Sequence, residues 1–226
     1  MMNLIIPKHS RPASAIPNCI GILTLVCLWL INSPALAQNF SSETWHKGFL
    51  VLESGDSAAG ELKYNLENDL LQLRTAETIK TFTPRNVVYF QLFDENFGAY
   101  RDFYSLPYQQ VSNNYEALLF FEVLSEGDLT LLSRERVITE TVNQYTNSNF
   151  GNYTYNRRRL VYDYFYVQNK EKIVDYGKRK KELLKLMQRR SQEVKAFMKE
   201  NRLDADRRRD LIEITSFYNS LLREQL

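Results

Sequence analysis

The spacing of apolar residues changes once along the chain, close to Gly177. Before this glycine, apolar and polar residues alternate in short runs such as residues 60–66 and 159–168, which is typical of strands with one buried face. After it, apolar residues recur every three or four positions, as expected of amphipathic helices. This order predicts an α+β domain. We expect an antiparallel β-barrel, roll or sandwich followed by a C-terminal helical hairpin that packs on the sheet.

The helical part is predicted to contain two helices. Apolar residues of the first helix recur through residues 183–198, with an interruption near residues 188–191, where Ser191 is expected to cap a second piece. Asp204 is the predicted N-cap of the next helix. Because only a short loop joins the two helices, we expect them to lie antiparallel.

The first 37 residues have the organisation of a secretory signal peptide. Lys8 and Arg11 precede an apolar run at residues 20–31, and an A-x-A cleavage motif ends at Ala37. The apolar run is too short to cross about 30 Å of hydrocarbon well. We therefore predict cleavage between Ala37 and Gln38, with no transmembrane span afterwards and a periplasmic, outer-surface or secreted location. The predicted domains are the signal peptide 1–37, a β-rich domain 38–176 and the helical hairpin 177–226.

Removal of this leader would also remove both cysteines. The remaining 189 residues hold one histidine, His46, and all 14 Tyr and 13 Phe of the chain. The predicted mature chain therefore has no disulfide, cysteine nucleophile or thiolate metal site, and no site that needs two histidines. We predict neither a cofactor nor a metal. A chain of this length buries a sizeable core without disulfides, and its many aromatic side chains supply much of the apolar area.

Charge is divided unevenly over the predicted mature chain. Residues 38–169 carry 11 Lys or Arg and 17 Asp or Glu, whereas residues 170–226 carry 16 and 10. The helices are therefore expected to dock on an acidic sheet, with a modest effect of salt. Arginine triplets occur at residues 157–159 and 207–209. Because the exported chain is neutral, we predict that they pair within the molecule or with a polyanionic envelope partner, and not with nucleic acid.

Few residues offer catalytic chemistry. His46 is expected to be structural, since the chain has no G-x-S-x-G motif and no βαβ pattern to hold a triad. Paired carboxylates, which serve glycosidases, occur at residues 94–95 and at Glu126 and Asp128. These acids are also typical turn residues. Residues 94–96 have no D-x-D-x-D-G pattern around them that would indicate calcium binding.

The strongest candidate for a binding surface is the segment 143–156, which is rich in Asn and Tyr and has no apolar period. We interpret it as an exposed hairpin loop. Tyr and Asn combine rigid apolar area with adaptable hydrogen bonds, as in antibody paratopes. An insertion without a binding role is the alternative. The predicted binding residues are Tyr145, Asn149, Tyr153, Tyr155, Arg157 and Arg158.

Several short motifs resemble uncharacterised exported proteins of Bacteroidota-type Gram-negative bacteria. They include Trp45-His46-Lys47-Gly48 and Phe82-Thr83-Pro84-Arg85 near the start, and residues 199–203 and 218–221 near the end. The resemblance extends from Trp45 to Leu221. It implies a β-rich envelope or secreted protein, and it carries no catalytic residues.

These observations predict an exported, non-enzymatic binding or structural module of the cell envelope. Its expected partner is an envelope protein or a glycan. The alternative is a carboxylate-dependent hydrolase that acts on an envelope or extracellular substrate. A third hypothesis is a homodimer formed through the helices.

Overall fold

The computed structural model of the protein describes residues 40–109, 115–144, 153–168 and 172–223, which belong to the compact unit Asn39–Leu226. The predicted leader lies outside the described residues, so its cleavage and the division into three domains stay predictions. Within the described ranges, no helix combines the length and the apolar character needed to cross a membrane.

In the described residues, ten antiparallel strands form one sheet, and a short 3-10 helix at Ser41–Glu43 precedes it. The order of the strands across the sheet is β10-β9-β8-β7-β6-β5-β1-β2-β3-β4. The strands are β1 (His46–Leu52), β2 (Ser57–Asn65), β3 (Leu70–Arg74), β4 (Ile79–Phe82), β5 (Val87–Asp94), β6 (Ala99–Gln109), β7 (Glu116–Ser125), β8 (Thr130–Gln144), β9 (Tyr153–Gln168) and β10 (Lys172–Tyr176).

The sheet curls strongly without closing. Tyr64 of β2 donates a hydrogen bond of 2.6 Å to Glu135 of β8, although five strand-to-strand steps separate them in the sheet. In a flat sheet these strands would lie about 24 Å apart, at roughly 4.8 Å per step. The curl buries a concave apolar face that includes Leu50, Phe90 and Phe120. The α+β class is confirmed.

Of the three expected forms, the closed barrel and the two-sheet sandwich are wrong, since the described strands form one sheet with β4 and β10 as its two edges. A single curled sheet is consistent with the third form, a roll. Closure would require these two strands to pair. Instead, a layer of helices covers the β8–β10 end of the concave face, where it packs against Leu131, Tyr166 and Tyr176. At this end of the sheet, the helices therefore keep the apolar face away from solvent, as closure into a barrel would.

Three helices follow the sheet where a two-helix hairpin was expected. They are α1 (Lys180–Leu186), α2 (Ser191–Glu200) and α3 (Arg208–Arg223). The expected interruption is a 3-10 turn at Gln188–Arg190, which splits the first predicted helix into α1 and α2. Ser191 is the first residue of α2 and not its cap, and α3 begins four residues after Asp204. The apolar spacing therefore located the helices, but the capping predictions were wrong.

Contacts between the helices and the sheet are mainly apolar. Leu183, Val194 and Ile214 are fully buried in the same cluster as the sheet residues Leu131 and Tyr166. Among the described residues, one ion pair joins a helix to a strand, between Arg208 of α3 and Glu122 of β7. The charge difference between the two parts of the chain therefore makes a small contribution to docking, and apolar burial provides most of it.

Pro107 illustrates how the sheet accepts a residue that cannot donate a backbone hydrogen bond. It lies in β6, which is placed between β5 and β7 in the sheet. The described pairing with β5 ends at Tyr104, so Pro107 is paired only with β7. The strand is internal over its first half and has an open edge over its second half, where proline is tolerated.

Candidate functional site

The hairpin formed by β8 and β9 extends beyond the rest of the sheet. Among the described residues, β7 pairs with β8 only as far as Ser133, and β10 pairs with β9 only from Tyr164 onwards. The two strands continue to pair with each other as far as Gln144 and Tyr153. We call residues 136–144 and 153–159 the arm.

One face of the arm carries the predicted tyrosines. Residues directly opposite each other in an antiparallel pair lie on the same face, and the register places Tyr153 opposite Gln144 and Tyr155 opposite Val142. The two tyrosine rings are exposed, with centroids 6.2 Å apart. We call this surface the tyrosine face; it comprises Ile138, Glu140, Val142, Tyr153, Tyr155, Arg157 and Arg159.

Ion pairs join the two strands of the arm and hold it to the body. On the tyrosine face, Arg157 and Arg159 both contact Glu140. The hydrogen bond from Arg157, opposed by slight desolvation, lowers the pKa of Glu140 below its usual value. On the opposite face, Arg158 pairs with Glu43 of the 3-10 helix and lies over the ring of Phe40. The first arginine triplet is thus paired within the molecule, as expected.

The structure separates the predicted binding residues into three groups. Tyr153, Tyr155 and Arg157 share the tyrosine face, whereas Arg158 lies on the opposite face. Tyr145 and Asn149 lie outside the described residues. The predicted loop is shorter than 143–156, because the strands extend into it from both sides.

Polar cross-strand pairs explain why the sequence predicts a loop where β8 ends and β9 begins. Thr154 donates a hydrogen bond of 2.8 Å to the side chain of Asn143, and Thr141 donates one of 3.0 Å to Asn156. Such pairs stabilise a two-stranded ribbon without any apolar alternation.

A second site, absent from our sequence predictions, is a charged cluster buried on the concave face. Arg101 donates two hydrogen bonds of 2.9 Å to Glu122, one of 3.0 Å to Glu135 and one of 2.9 Å to Asp94. It also donates to the hydroxyl of Tyr64, which in turn donates to Glu135. All five side chains are almost completely inaccessible to solvent. We call these five residues the Arg101 cluster.

Mutual pairing keeps the cluster charged despite its burial. Burial opposes ionisation of Asp94 and Glu122, but hydrogen bonds and the charge of Arg101 outweigh it and hold the pKa of both carboxyls below their usual values. Burial likewise opposes the charge on Arg101, and Glu122 reverses this effect and raises the pKa of the guanidinium. Asp94, Glu122 and Arg101 are therefore fixed charges near neutral pH and not proton donors or acceptors.

The helical layer reaches the Arg101 cluster through Arg208. Its guanidinium pairs with Glu122 and lies over the rings of Phe97 and Tyr162. Its Nε atom is buried without a hydrogen-bond partner. Contacts within one group of polar side chains therefore connect helix α3 with five strands, β2, β5, β6, β7 and β8.

The acidic pairs considered for hydrolysis are not brought together. Asp94 was expected to be a turn residue; it caps the turn by accepting the backbone N–H of Asn96 at 3.0 Å, but it is also fully buried against Arg101. Glu95, Glu126 and Asp128 are exposed. In the described part of the chain, no group of three or more His, Cys, Asp or Glu side chains is arranged to hold a metal ion.

His46 has a structural environment. The ring is buried, and its Nε2 atom lies 2.8 Å from the carbonyl oxygen of Ser41 and 3.0 Å from the hydroxyl of Thr44. These contacts attach the 3-10 helix to the start of β1. No described carboxylate forms a hydrogen bond with the ring, as a triad would require.

Aromatic side chains fill the interior of the curl. Phe90 stacks on Phe103 at a centroid distance of 4.5 Å and meets Phe120 edge-on at 5.2 Å. A cavity of about 310 Å³ lies at the base of the arm between Glu43, Leu66 and Arg158. Between β5, β6 and β7, the concave face is therefore occupied by packed aromatic rings.

Comparison with known proteins adds no assignment: no family model, no curated protein sequence and no solved structure matches this chain.

Proposed function

We propose that the protein is an exported, non-enzymatic binding module of the cell envelope, and that the tyrosine face of the arm is its contact surface. The partner is an envelope protein or a glycan. The observation that carries this proposal is the arm itself, a two-stranded ribbon that exposes adjacent tyrosines outside the packed sheet.

The composition of the tyrosine face supports a binding role. A two-stranded hairpin is marginally stable on its own, so tyrosines that remain exposed on such a ribbon contribute little to the core. Tyr supplies large contact area at a low cost in conformational entropy, and neighbouring arginine adds directional hydrogen bonds. Arg157 and Arg159 lie on the same face as the rings. Each guanidinium has five N–H donors, and the contacts with Glu140 use only part of them.

The hydrolase alternative receives less support from the carboxylates. A glycosidase needs two carboxyl groups beside a cleft that admits the sugar and a water molecule. Asp94, Glu122 and Glu135 instead lie buried, and each is paired with Arg101. This arrangement favours a structural role for the cluster.

Export is tested by sequencing the N-terminus of the protein recovered from the periplasm and the culture medium of expressing cells. The proposal predicts a start at Gln38. Protein that retains Met1 and remains in the cytoplasm would contradict the proposed location.

Binding through the tyrosine face is tested by affinity capture from solubilised envelope fractions. The double variant Tyr153→Thr/Tyr155→Thr keeps strand propensity and removes both rings. The matched control is Tyr100→Thr/Tyr104→Thr on β6, where the side chains are comparably exposed at 67% and 41%. We expect a species that the wild type and the control retain and that the arm variant loses at least about tenfold, as for loss of an aromatic hot spot. Equal capture by all three proteins would refute the proposal.

A further inference from the structure

Helices α1 and α2 carry an unusually dense positive charge. Residues 178–202 contain ten Lys or Arg and three Glu. Within this segment Leu183, Val194 and Met198 are buried against the sheet, so the polar positions of both helices point outwards. Five exposed cations of this segment form what we call the basic surface: Lys181, Lys185, Arg189, Lys195 and Lys199.

The basic surface is continuous across the two helices. Lys181 and Lys185 are four residues apart in α1, and Lys195 and Lys199 are four residues apart in α2, so each pair lies along one side of its helix. Arg189 lies in the 3-10 turn between the two helices. Residues of both helices line the same open groove, of about 640 Å³. Its rim includes Lys181, Lys185 and Lys195, and Leu184 contributes to its apolar wall.

The acidic residues of the segment leave these cations uncompensated. Glu182 lies 3.6 Å from Arg179, and Glu193 lies 2.7 Å from Arg190. In the described ranges, no carboxylate lies within ion-pair distance of the five cations of the basic surface. Their charge is therefore available to a partner.

We propose that the basic surface docks on an anionic membrane surface, with its lysines against lipid phosphates. Clustered lysines on an amphipathic helix are attracted to anionic headgroups, and their long stems lie along apolar surface while the ammonium groups reach outwards. Lysine suits this role because it acts as a mobile point charge that needs no fixed bidentate geometry. The apolar wall of the groove offers a contact for the upper part of the acyl chains.

The side chains around the basic surface favour a membrane over nucleic acid. Proteins that bind single strands interleave their cations with exposed aromatic rings on which bases stack. The aromatic residue of this segment, Phe197, is half-buried and stacks on Phe217 at a centroid distance of 3.9 Å. Membrane docking through the basic surface does not depend on the arm, so it would stand even if the tyrosine face bound no partner.

The test is flotation of the purified protein with lipid vesicles in buffer of about 50 mM salt. One set of vesicles contains phosphatidylcholine alone, and the other adds about 30% phosphatidylglycerol as the anionic probe. We expect binding to the anionic vesicles, release at about 0.5 M salt, and at least tenfold weaker binding to phosphatidylcholine.

Charge-reversal variants locate the contact. In Lys181→Glu/Lys185→Glu/Lys195→Glu, binding to the anionic vesicles should fall by on the order of a hundredfold, at roughly fivefold for each cation. The control Lys47→Glu/Lys80→Glu/Arg85→Glu makes the same change in net charge at exposed positions of the sheet. It should bind within about threefold of the wild type.

Three outcomes would overturn the inference. One is equal binding to the two vesicle types, and another is an equal loss in both triple variants, which would reflect net charge alone. The third is tighter binding to duplex DNA than to anionic vesicles at the same salt concentration, which would identify a different polyanion.

Discussion

Arg101 holds Glu122 through two parallel hydrogen bonds of 2.9 Å each, at a position where both side chains are almost completely inaccessible to solvent. Charge-assisted hydrogen bonds in this fork-to-fork geometry are roughly twice as strong as hydrogen bonds between neutral groups. Removing one partner of a buried pair leaves an uncompensated charge. The Arg101 cluster is therefore expected to determine whether the curl of the sheet is retained.

Replacement of Arg101 by methionine should be strongly destabilising. The variant Arg101→Met keeps much of the side-chain volume but leaves three buried carboxylates without their cation, so we expect a loss of about 3–5 kcal/mol in the free energy of unfolding. Urea titration followed by circular dichroism measures it. The control Arg136→Met breaks a half-exposed pair with Asp163 and should cost at most about 1 kcal/mol. Similar losses in the two variants would contradict a structural role of the cluster.

Acidification should weaken the fold through the same cluster. Despite the opposing effect of burial, Arg101 keeps the pKa of Asp94 and Glu122 below their ordinary values of 3.8 and 4.5. As the pH falls, the unfolded chain therefore binds protons before the folded one, and stability decreases. We expect a constant urea midpoint from about pH 7 to pH 5 and a progressive decrease below about pH 4.5.

The variant Asp94→Asn serves as the comparison for this acid effect. It cannot gain the proton that Asp94 gains, so the decrease of its urea midpoint between about pH 5 and pH 3.5 should be smaller than in the wild type. A midpoint that stays constant or rises on acidification in the wild type would show that these carboxyls do not have lowered pKa values.

Asn219 should anchor α3 to the β7–β8 turn. Its amide accepts the backbone N–H of Leu129 at 3.0 Å and donates to the carbonyl oxygen of the same residue at 2.9 Å. The variant Asn219→Leu leaves both buried backbone groups unpaired, at a cost of about 1–3 kcal/mol each. Hydrogen exchange at Leu129 should accelerate accordingly. The control Asn201→Leu, at an exposed helix end, should leave that exchange rate unchanged.

Local periodicity was sufficient to predict that a run of strands precedes the helices, because most of these elements bury one face. It was not sufficient to predict closure, which depends on the accumulated curl of ten strands. Contacts such as Tyr64 with Glu135 join residues 71 positions apart. No local sequence pattern indicates that two residues so far apart in the chain are in contact.

The Arg101 cluster did leave a signal in the sequence. Asp94 is in phase with the buried residues Phe90 and Leu92, and Arg101 is two positions from buried Phe103. Charged residues of opposite sign at apolar positions of neighbouring strands indicate a buried pair. Choosing the partner still required the strand order, since β5 also pairs with β1.

Photo-crosslinking in intact expressing cells shows whether the arm is the contact surface. A photoreactive phenylalanine analogue replaces Tyr155 on the arm or, as the control, Tyr104 on β6; both side chains are 41% exposed. We expect a discrete crosslinked adduct of the mature protein from position 155 and none from position 104. No adduct from position 155, or the same adduct from both positions, would contradict it.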